Sequence, residues 1–498
     1  MDKYDVVIVG SGLGGLLCGN ILSKEGYSVC ILEKNHQIGG CLQTFTRDNC
    51  VFDTGIHYLG SLDEGQILNQ YFKYFGLMDK LKLKKLDKDA FDIIYFDDNK
   101  KEYPYAMGYD HFIETLAQSF PHERQALITY CDKLKEISSS LALYNLKEIT
   151  STFIETQYFK ENAYDFIQAT FKDKRLRNVI AGSNGLYAGV PEKTPLFIHA
   201  IVNASFIESA YRLVDGSQQM DDLLSDTIIQ NNGIIRTNSK VTRLVCENDK
   251  VAYCEINNTE RIEAKYFISD IHPELTLDIL ENDILRKVYR NRVKSLESTI
   301  SSFALYISLN ENSFKYLNHN YYYFSNNSVW YASTYSETEW PESYLLLTPA
   351  TSKSDIYAES IIVMTYMKYE ELKQWENTTV GKRGEDYLKF KKNKAEQLLD
   401  KIEIRFPELR KHIKSYYAST PLTYRDYTGT KNGSLYGVLR DSNEPMKSFV
   451  SPRTKISNLI FTGQNVILHG VLGVTIGAVL SCAEIVGLNY LIKKIKQV

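Results

Sequence analysis

The sequence has no excess of either charge. Its 58 lysines and arginines stand against 61 aspartates and glutamates, a net of −3 over 498 residues. Wrapping nucleic acid takes a basic surface, so no nucleic-acid partner is expected, although a local basic patch remains compatible with the count. The chain also lacks any Cys-x-x-Cys pair. Its eight cysteines, at 18, 30, 41, 50, 131, 246, 254 and 482, are scattered, several of them inside apolar runs. That spacing gives no support to a zinc site or a disulfide scaffold; it points to buried, reduced thiols in a reducing compartment, and no metal is expected. The start, Met1-Asp2-Lys3-Tyr4, has no basic n-region, and the apolar stretch after it is cut by Gly10, Gly12, Gly14 and Gly15. It does not read as a signal peptide, and a cytoplasmic chain is expected.

An uninterrupted apolar run of the roughly 20 residues needed to span a bilayer is missing as well. Leu459–Leu480 carries no charged residue, but Gly463, Gln464, Asn465, His469, Gly470, Gly473 and Gly477 break it. A buried strand, a turn and a buried helix fit it better. Internal repeats and low-complexity linkers are absent too. What remains is ordinary globular composition, 44% apolar, 12% aromatic and 24% charged. Length alone, at about 150 residues per domain, would suggest about three units.

The N-terminal segment is the most informative. Tyr4 to Val9 is a short β-branched run suited to a strand buried on both faces. Gly10-Ser11-Gly12-Leu13-Gly14-Gly15 follows at once, then a helix-compatible stretch to Lys24, a stop signal at Gly26, and a second strand, Ser28 to Leu32, ending at Glu33. Each part has a physical task in binding a dinucleotide. Gly10 allows a tight turn, Gly12 lets backbone approach a pyrophosphate, and Gly15 lets helix and strand pack closely. The helix N-terminus offers free N–H groups and partial positive charge to the phosphates. Glu33 follows the glycines by about the 20 residues expected of a ribose-hydroxyl acceptor, and an acid there repels a 2′-phosphate, which favours FAD or NAD over NADP.

Two later motifs decide between these. Gln37-Ile38-Gly39-Gly40-Cys41-Leu42-Gln43-Thr44-Phe45 comes after the Glu33 strand, and then Phe52-Asp53-Thr54-Gly55-Ile56-His57-Tyr58-Leu59-Gly60. In this order they resemble the retinol saturase and carotenoid isomerase branch of the phytoene desaturase-like FAD flavoproteins. At the far end, Ile456 to Asn465 resembles that family's closing strand and flavin loop, and His469-Gly470-Val471-Leu472-Gly473-Val474 opens the last helix. Many flavoproteins of this fold carry an acid after the strand glycine. Here Gln464-Asn465 are amides; Asn465 aligns with the acid and could still bond a hydroxyl. In the middle, Asp215-Gly216-Ser217-Gln218-Gln219-Met220 precedes an amphipathic helix, followed by strands from Gly233, Lys240, Val251 and Arg261, the last ending at Ser269-Asp270.

The resemblance implies an α/β chain: a Rossmann-type, glutathione reductase-like FAD-binding domain with an inserted α+β substrate domain. The cofactor pieces would be 1–108, 205–285 and 450–498, and the substrate pieces 109–204 (helical) and 286–449 (sheet). It further implies FAD contacts from Gly10, Gly12, Leu13, Gly14, Gly15, Glu33, Lys34, Gly39, Gly40, Cys41, Thr54, Gly55, Ile56, His57, Asp270, Gly463, Gln464, Asn465, Gly473 and Val474, with the residue matching Val241 reaching adenine through its backbone. Cys41 is also a candidate point of covalent flavin attachment.

On the substrate side, Leu127, Cys131, Leu134, Ile137 and Leu141 share one helical face. Tyr321-Tyr322-Tyr323-Phe324, Trp330-Tyr331, Tyr335, Trp340 and Tyr344 suggest a half-buried sheet that presents an aromatic wall to an extended apolar ligand. Pro421 to Thr430 reads either as a surface loop or as a family segment near the active site. The lysines at 80, 82, 84, 85 and 88, and those at 389, 391, 392 and 394, read as solvated faces or as patches resting on anionic lipid.

With FAD bound, the redox chemistry is the cofactor's and the protein orients the substrate. No Ser/His/Asp or Cys/His arrangement stands out for hydrolysis. No second glycine-rich turn offers NAD(P)H its own domain, so a nicotinamide donor would have to enter the substrate cleft. His57 and His469 are candidates to protonate a polyene carbon or stabilise charge on the flavin, and Tyr427 is a third catalytic candidate. The expected activity is saturation or desaturation of a carbon–carbon double bond in an isoprenoid or polyene. Alternatives are a redox-neutral cis/trans isomerase using reduced FAD, a non-enzymatic prenyl-binding protein on the same fold, as in Rab GDP-dissociation inhibitors, and an amine oxidase.

Overall fold

Val6-Val7-Ile8-Val9 lies at the centre of the first sheet because it can be buried on both faces, and all four side chains are buried. In a computed structural model that describes residues 2–148, 157–281, 284–326 and 329–498, strand Asp2–Val9 pairs in parallel with Val29–Leu32 on one side and Glu260–Ser269 on the other. Ile234–Arg236 extends the sheet beyond Val29–Leu32, and Leu459–Phe461 pairs in parallel with Glu260–Ser269. The meander Val241–Glu247, Lys250–Ile256 and Glu260–Ser269 is antiparallel. Helices Leu13–Lys24, Gln218–Gln230 and Gly470–Val486 cover one face, with Leu16, Leu17, Ile21, Leu224, Ile228, Ala478 and Val479 in a common core. Leu459–Leu480 is thus a strand, a loop and the first part of a buried helix. Among the described residues no helix is long and apolar enough to cross a membrane.

The second sheet runs in the order Ile413–Ser419, Ser301–Leu309, Ser360–Met367, Ser343–Leu347, Asn320–Phe324, Asp92–Phe96, Lys101–Tyr105. Only the Asn320–Phe324 and Asp92–Phe96 pair is parallel. Asp92–Tyr105 therefore joins this sheet although it lies within 1–108, the segment expected to belong with the cofactor pieces.

The aromatic strand departs from expectation in a useful way. Asn320–Phe324 is buried along its whole length, where a half-buried strand was expected. The reason is a layer on each side. Tyr322 and Phe324 face the helical layer built by Arg124–Ser140 and Leu196–Glu208, while Tyr321 and Tyr323 face a core closed by Leu398, Leu399 and Ile402 of helix Glu385–Arg405. Trp330 and Tyr331 sit in the short 3-10 turn Val329–Thr334 and not in a strand.

Leu127, Cys131, Leu134 and Ile137 form the buried face of Arg124–Ser140, and Leu141 falls just past its end. Of the lysine-rich stretch from 80 to 88 only Leu83–Lys85 is a strand, and its lysines pair with acids, Lys84 with Asp355 and Lys85 with Asp63. Pro421–Thr428 is a helix and not a loop: Thr420 and Thr423 form a reciprocal capping box and Pro421 occupies the first turn.

Candidate functional site

The glycine turn is held by contacts that admit no side chain. Gly10 has φ +98°, and a Cβ on Gly15 would fall 2.2 Å from the Gly10 carbonyl oxygen. A Cβ on Gly14 would come within 2.8 Å of Gly463 Cα, so the first turn of helix Leu13–Lys24 and the loop after Leu459–Phe461 meet backbone to backbone. These are the two ends of the chain. Their meeting opens one cavity of about 940 Å³, lined by every residue expected at the cofactor except Gly15, which packs beneath it.

Glu33 reaches this cavity already held by the protein. Its Oε2 accepts from Ser11 N–H (3.1 Å) and Ser11 Oγ–H (2.7 Å), and its Oε1 accepts from Asn35 N–H (2.8 Å). The carboxylate is thereby fixed beside the glycine turn. The next turn, at Gly39-Gly40, is equally specific. Gly39 has φ +104°, its N–H donates to the Ser11 carbonyl, and a Cβ there would lie 1.9 Å from Asp221 Oδ2. Asp221 itself has no protein partner for either oxygen, and burial pushes its carboxyl up to about 8. Thr54 Oγ donates to the Gln43 carbonyl, and Gly55 packs on Cys41, where a Cβ would meet Cys41 Cβ at 2.9 Å.

Asp270 is the most unusual member. Its Oδ1 lies 2.4 Å from where a Cβ of Gly14 or Gly463 would stand, and its Oδ2 lies 2.7 Å from that position at Gly12. A carboxyl thus points into the space left open by three glycines. Burial pushes it up to about 7, against the pull of N–H groups of Gly15 and Gly12.

Several expectations need correction. His57 and His469 are half-buried, and both are pushed down to about 4, His57 by desolvation and Arg212, His469 by desolvation and Arg440. Both are neutral at pH 7, so neither serves as an imidazolium acid. Both nitrogens of His57, and Nε2 of His469, lack a protein partner. Tyr427 lies on the outer rim, 42% exposed, where its carbonyl accepts from Asn35 Nδ2 at 3.1 Å and the neighbouring Asp426 carbonyl accepts from Lys34 Nζ at 2.9 Å. This clasps helix Pro421–Thr428 to the end of the Glu33 strand and removes Tyr427 from the buried end of the cavity. Asn465 lines the cavity with its Oδ1 accepting from Val438 N–H at 3.0 Å and its carbonyl accepting from Arg440. Cys41 is pushed up to about 11 by burial and by Asp270, so it is a thiol and not the thiolate that covalent attachment would use.

Beyond the glycine turns the cavity becomes apolar and aromatic, with Phe206, Phe324, Val329, Leu345 and Met364 on its walls. Tyr436 lies against the His469 ring, centroids 4.4 Å apart, and donates to the Gly185 carbonyl at 2.8 Å. Tyr58, Tyr322 and Asp92 form a hydrogen-bonded set at this end that sequence reasoning passed over. Two signals for it existed: Tyr58 directly follows His57 in the quoted motif, and Asp92 is a charged residue at the head of the apolar run Ile93-Ile94-Tyr95-Phe96.

The donor set fits a dinucleotide joined to a ring system. A glycine turn at a helix N-terminus borders the cavity, an acid stands at the strand end, and unpartnered ring nitrogens line the wall beyond. The fold and site define an α/β protein with a Rossmann-type dinucleotide-binding sheet and a second, seven-stranded sheet. Residues 8–75 match the NAD(P)-binding Rossmann-like domain family. The chain is similar to the all-trans-retinol 13,14-reductase of Danio rerio, 23% identical across 97% of this chain and 86% of that one. It is also similar to the chloroplastic prolycopene isomerase of Daucus carota, 23% identical across 88% of this chain and 72% of that one. Among solved structures, an oxidoreductase from Methanosarcina mazei shares the fold, with TM-score 0.64 and 15% identity over 96% of this chain and 98% of that one. These similarities lie with the retinol saturases and carotenoid isomerases that the sequence motifs resemble, and they support an oxidoreductase with a flavin cofactor.

Proposed function

We propose that this protein binds FAD and saturates or desaturates a carbon–carbon double bond of an isoprenoid or polyene. The observation that carries the reading is the continuity of one cavity, polar and glycine-lined at one end, apolar and aromatic at the other. The relatives named all-trans-retinol 13,14-reductase and prolycopene isomerase support an apolar polyene as the ligand of that second end. FAD, when bound, supplies the exchange of a hydride between its N5 and a substrate carbon.

The chain's own residues do the rest. The backbone N–H groups at the start of helix Leu13–Lys24 meet the pyrophosphate, Glu33 accepts from a ribose hydroxyl, and Val241 meets the adenine edge. His57 and His469, neutral, offer ring nitrogens to the flavin's polar edge. Phe206, Phe324 and Met364 hold the polyene and exclude water. NAD(P)H is the candidate donor of electrons and enters by the same cleft.

A redox-neutral isomerisation is the second reading, favoured by similarity to prolycopene isomerases along most of the chain. Product analysis with a panel of retinoids and carotenoids tests both. Incubated in parallel with the reduced and the oxidised FAD-loaded protein, a product heavier by two hydrogens marks saturation, one lighter by two hydrogens marks desaturation, and an isomer of unchanged mass marks isomerisation. Unaltered substrates across the panel would overturn both readings.

A further inference from the structure

At the aromatic end of the cavity a buried carboxylic acid is wired to the wall. Tyr322 and Tyr58, both on the cavity surface, have their hydroxyls 2.7 Å apart. Tyr58 Oη lies 3.0 Å from Asp92 Oδ2. The other carboxyl oxygen is committed: Asp92 Oδ1 accepts from Asn320 Nδ2 at 2.8 Å. The Asn320 amide cannot turn round, because its Oδ1 accepts from the buried Arg212 at 2.9 Å. Arg212 is in turn fixed by the carbonyls of Leu317 and His319, at 2.6 and 2.7 Å. With Asp92 ionised, Tyr58 donates to Oδ2; a proton taken up by Asp92 sits on that same Oδ2, facing Tyr58, and reverses the order to Asp92, Tyr58, Tyr322. In that reversed order the hydroxyl hydrogen of Tyr322, a residue of the cavity lining, is not claimed within the set.

We propose that Tyr322, resupplied through Tyr58 from Asp92, delivers the proton that a carbon–carbon double bond takes up when it is saturated in this cavity. The proposal rests on the functional reading above and assigns the acid that reading leaves open.

The step balances. One alkene carbon forms a C–H bond with a hydride from reduced flavin, which ends two electrons poorer. The other carbon uses the π pair to take the phenolic proton of Tyr322. The Tyr58 proton passes to Tyr322 and the Asp92 proton to Tyr58, leaving Asp92 as carboxylate. Asp92 regains its proton when water refills the cavity after product leaves. Tyr322 is the catalytic residue; Tyr58, Asp92 and Asn320 are positioning residues.

The groups around Asp92 explain why it can hold a proton near neutrality. It faces Tyr58, Tyr322 and Asn320, with Tyr105 on the adjacent strand and Arg212 behind Asn320. Burial raises its carboxyl to about 7, outweighing the opposing pull of Asn320, Tyr58 and Arg212.

Two measurements test this. In single-turnover saturation by the FAD-loaded, reduced protein, Tyr322→Phe and Asp92→Asn are expected to lower the rate by at least about 100-fold, the lower end for losing a general acid. Bound flavin and its absorbance should stay at the wild-type level. Independently of activity, infrared difference spectra of the protein without substrate are expected to show a carboxylic-acid carbonyl band that titrates near pH 7. It should be missing in Asp92→Asn and shifted in Tyr58→Phe. Should Asp92→Asn fail to fold, Tyr322→Phe removes one hydroxyl and carries the test alone. Wild-type rates in Tyr322→Phe, or spectra of wild type and Asp92→Asn that do not differ in the acid carbonyl region at pH 6, would overturn the relay. A wild-type protein that saturates no polyene fails the functional reading, whereas a saturating wild type with an equally fast Tyr322→Phe fails the relay only.

Discussion

At Asp270 the site holds a carboxyl where a dinucleotide needs open, positive space. Its oxygens stand among Gly12, Gly14 and Gly463, and burial keeps it protonated up to about pH 7. Above that pH it becomes anionic and repels a phosphate. FAD affinity of the protein is therefore expected to fall as pH rises through 7. In Asp270→Asn that dependence should flatten, and binding at pH 8 should tighten by several fold, read by fluorescence titration of FAD into apoprotein. Glu33 acts in the opposite sense. Glu33→Lys replaces an acceptor held by Ser11 and Asn35 with a cation, and is expected to abolish FAD retention while the far-ultraviolet spectrum keeps its shape. Undiminished FAD content in that variant would remove Glu33 from the ribose.

At the scale of elements, helix Pro421–Thr428 is a small piece with a large reach. Its capping box at Thr420 starts it, and the carbonyls of Asp426 and Tyr427 at its far end receive Lys34 and Asn35 from beside Glu33. Thr420→Ala is expected to cost about 1 kcal/mol of stability, the usual worth of such a cap, measured by urea unfolding.

The same helix marks where sequence reading stops. The strand, glycine turn, helix and acid from Tyr4 to Glu33 were legible because each residue type there answers a local demand of backbone or phosphate. The closing strand and helix after Leu459 were legible for the same reason. Pro421–Thr430 was ambiguous because its helix is set by a cap and by partners nearly 400 residues away. Asp92 was invisible because a lone acid in an apolar run gains meaning only when Tyr58 and Asn320 arrive from elsewhere. The aromatic strand was recognised but its burial was underestimated, since alternation cannot reveal that a second layer, Glu385–Arg405, covers its other face.

At the scale of the molecule, buried ionisable groups set the pH profile of stability. Asp92, Asp221 and Asp270 are raised to about 7, 8 and 7 from an ordinary value near 3.8. Each binds a proton in the folded state that the unfolded chain has released, so each loses stability as pH rises toward its folded value. His57, His199, His272 and His469 are lowered to about 4, 3, 4 and 4 from 6.5, and each loses stability as pH falls below 6.5. The two effects oppose one another between about pH 4 and 6.5, and only the carboxyls act between about 6.5 and 8. The apoprotein is therefore expected to melt at a lower temperature at pH 8 than at pH 6.5, by scanning calorimetry; a midpoint that rises over that interval would contradict these assignments.

The central claim is that one cavity joins a flavin to a polyene double bond. Anaerobic mixing of dithionite-reduced, FAD-loaded protein with an all-trans retinoid tests it most directly. Flavin absorbance is expected to return in a single turnover, with one saturated product molecule formed per flavin reoxidised. Flavin that stays reduced beside unaltered retinoids and carotenoids alike would contradict it.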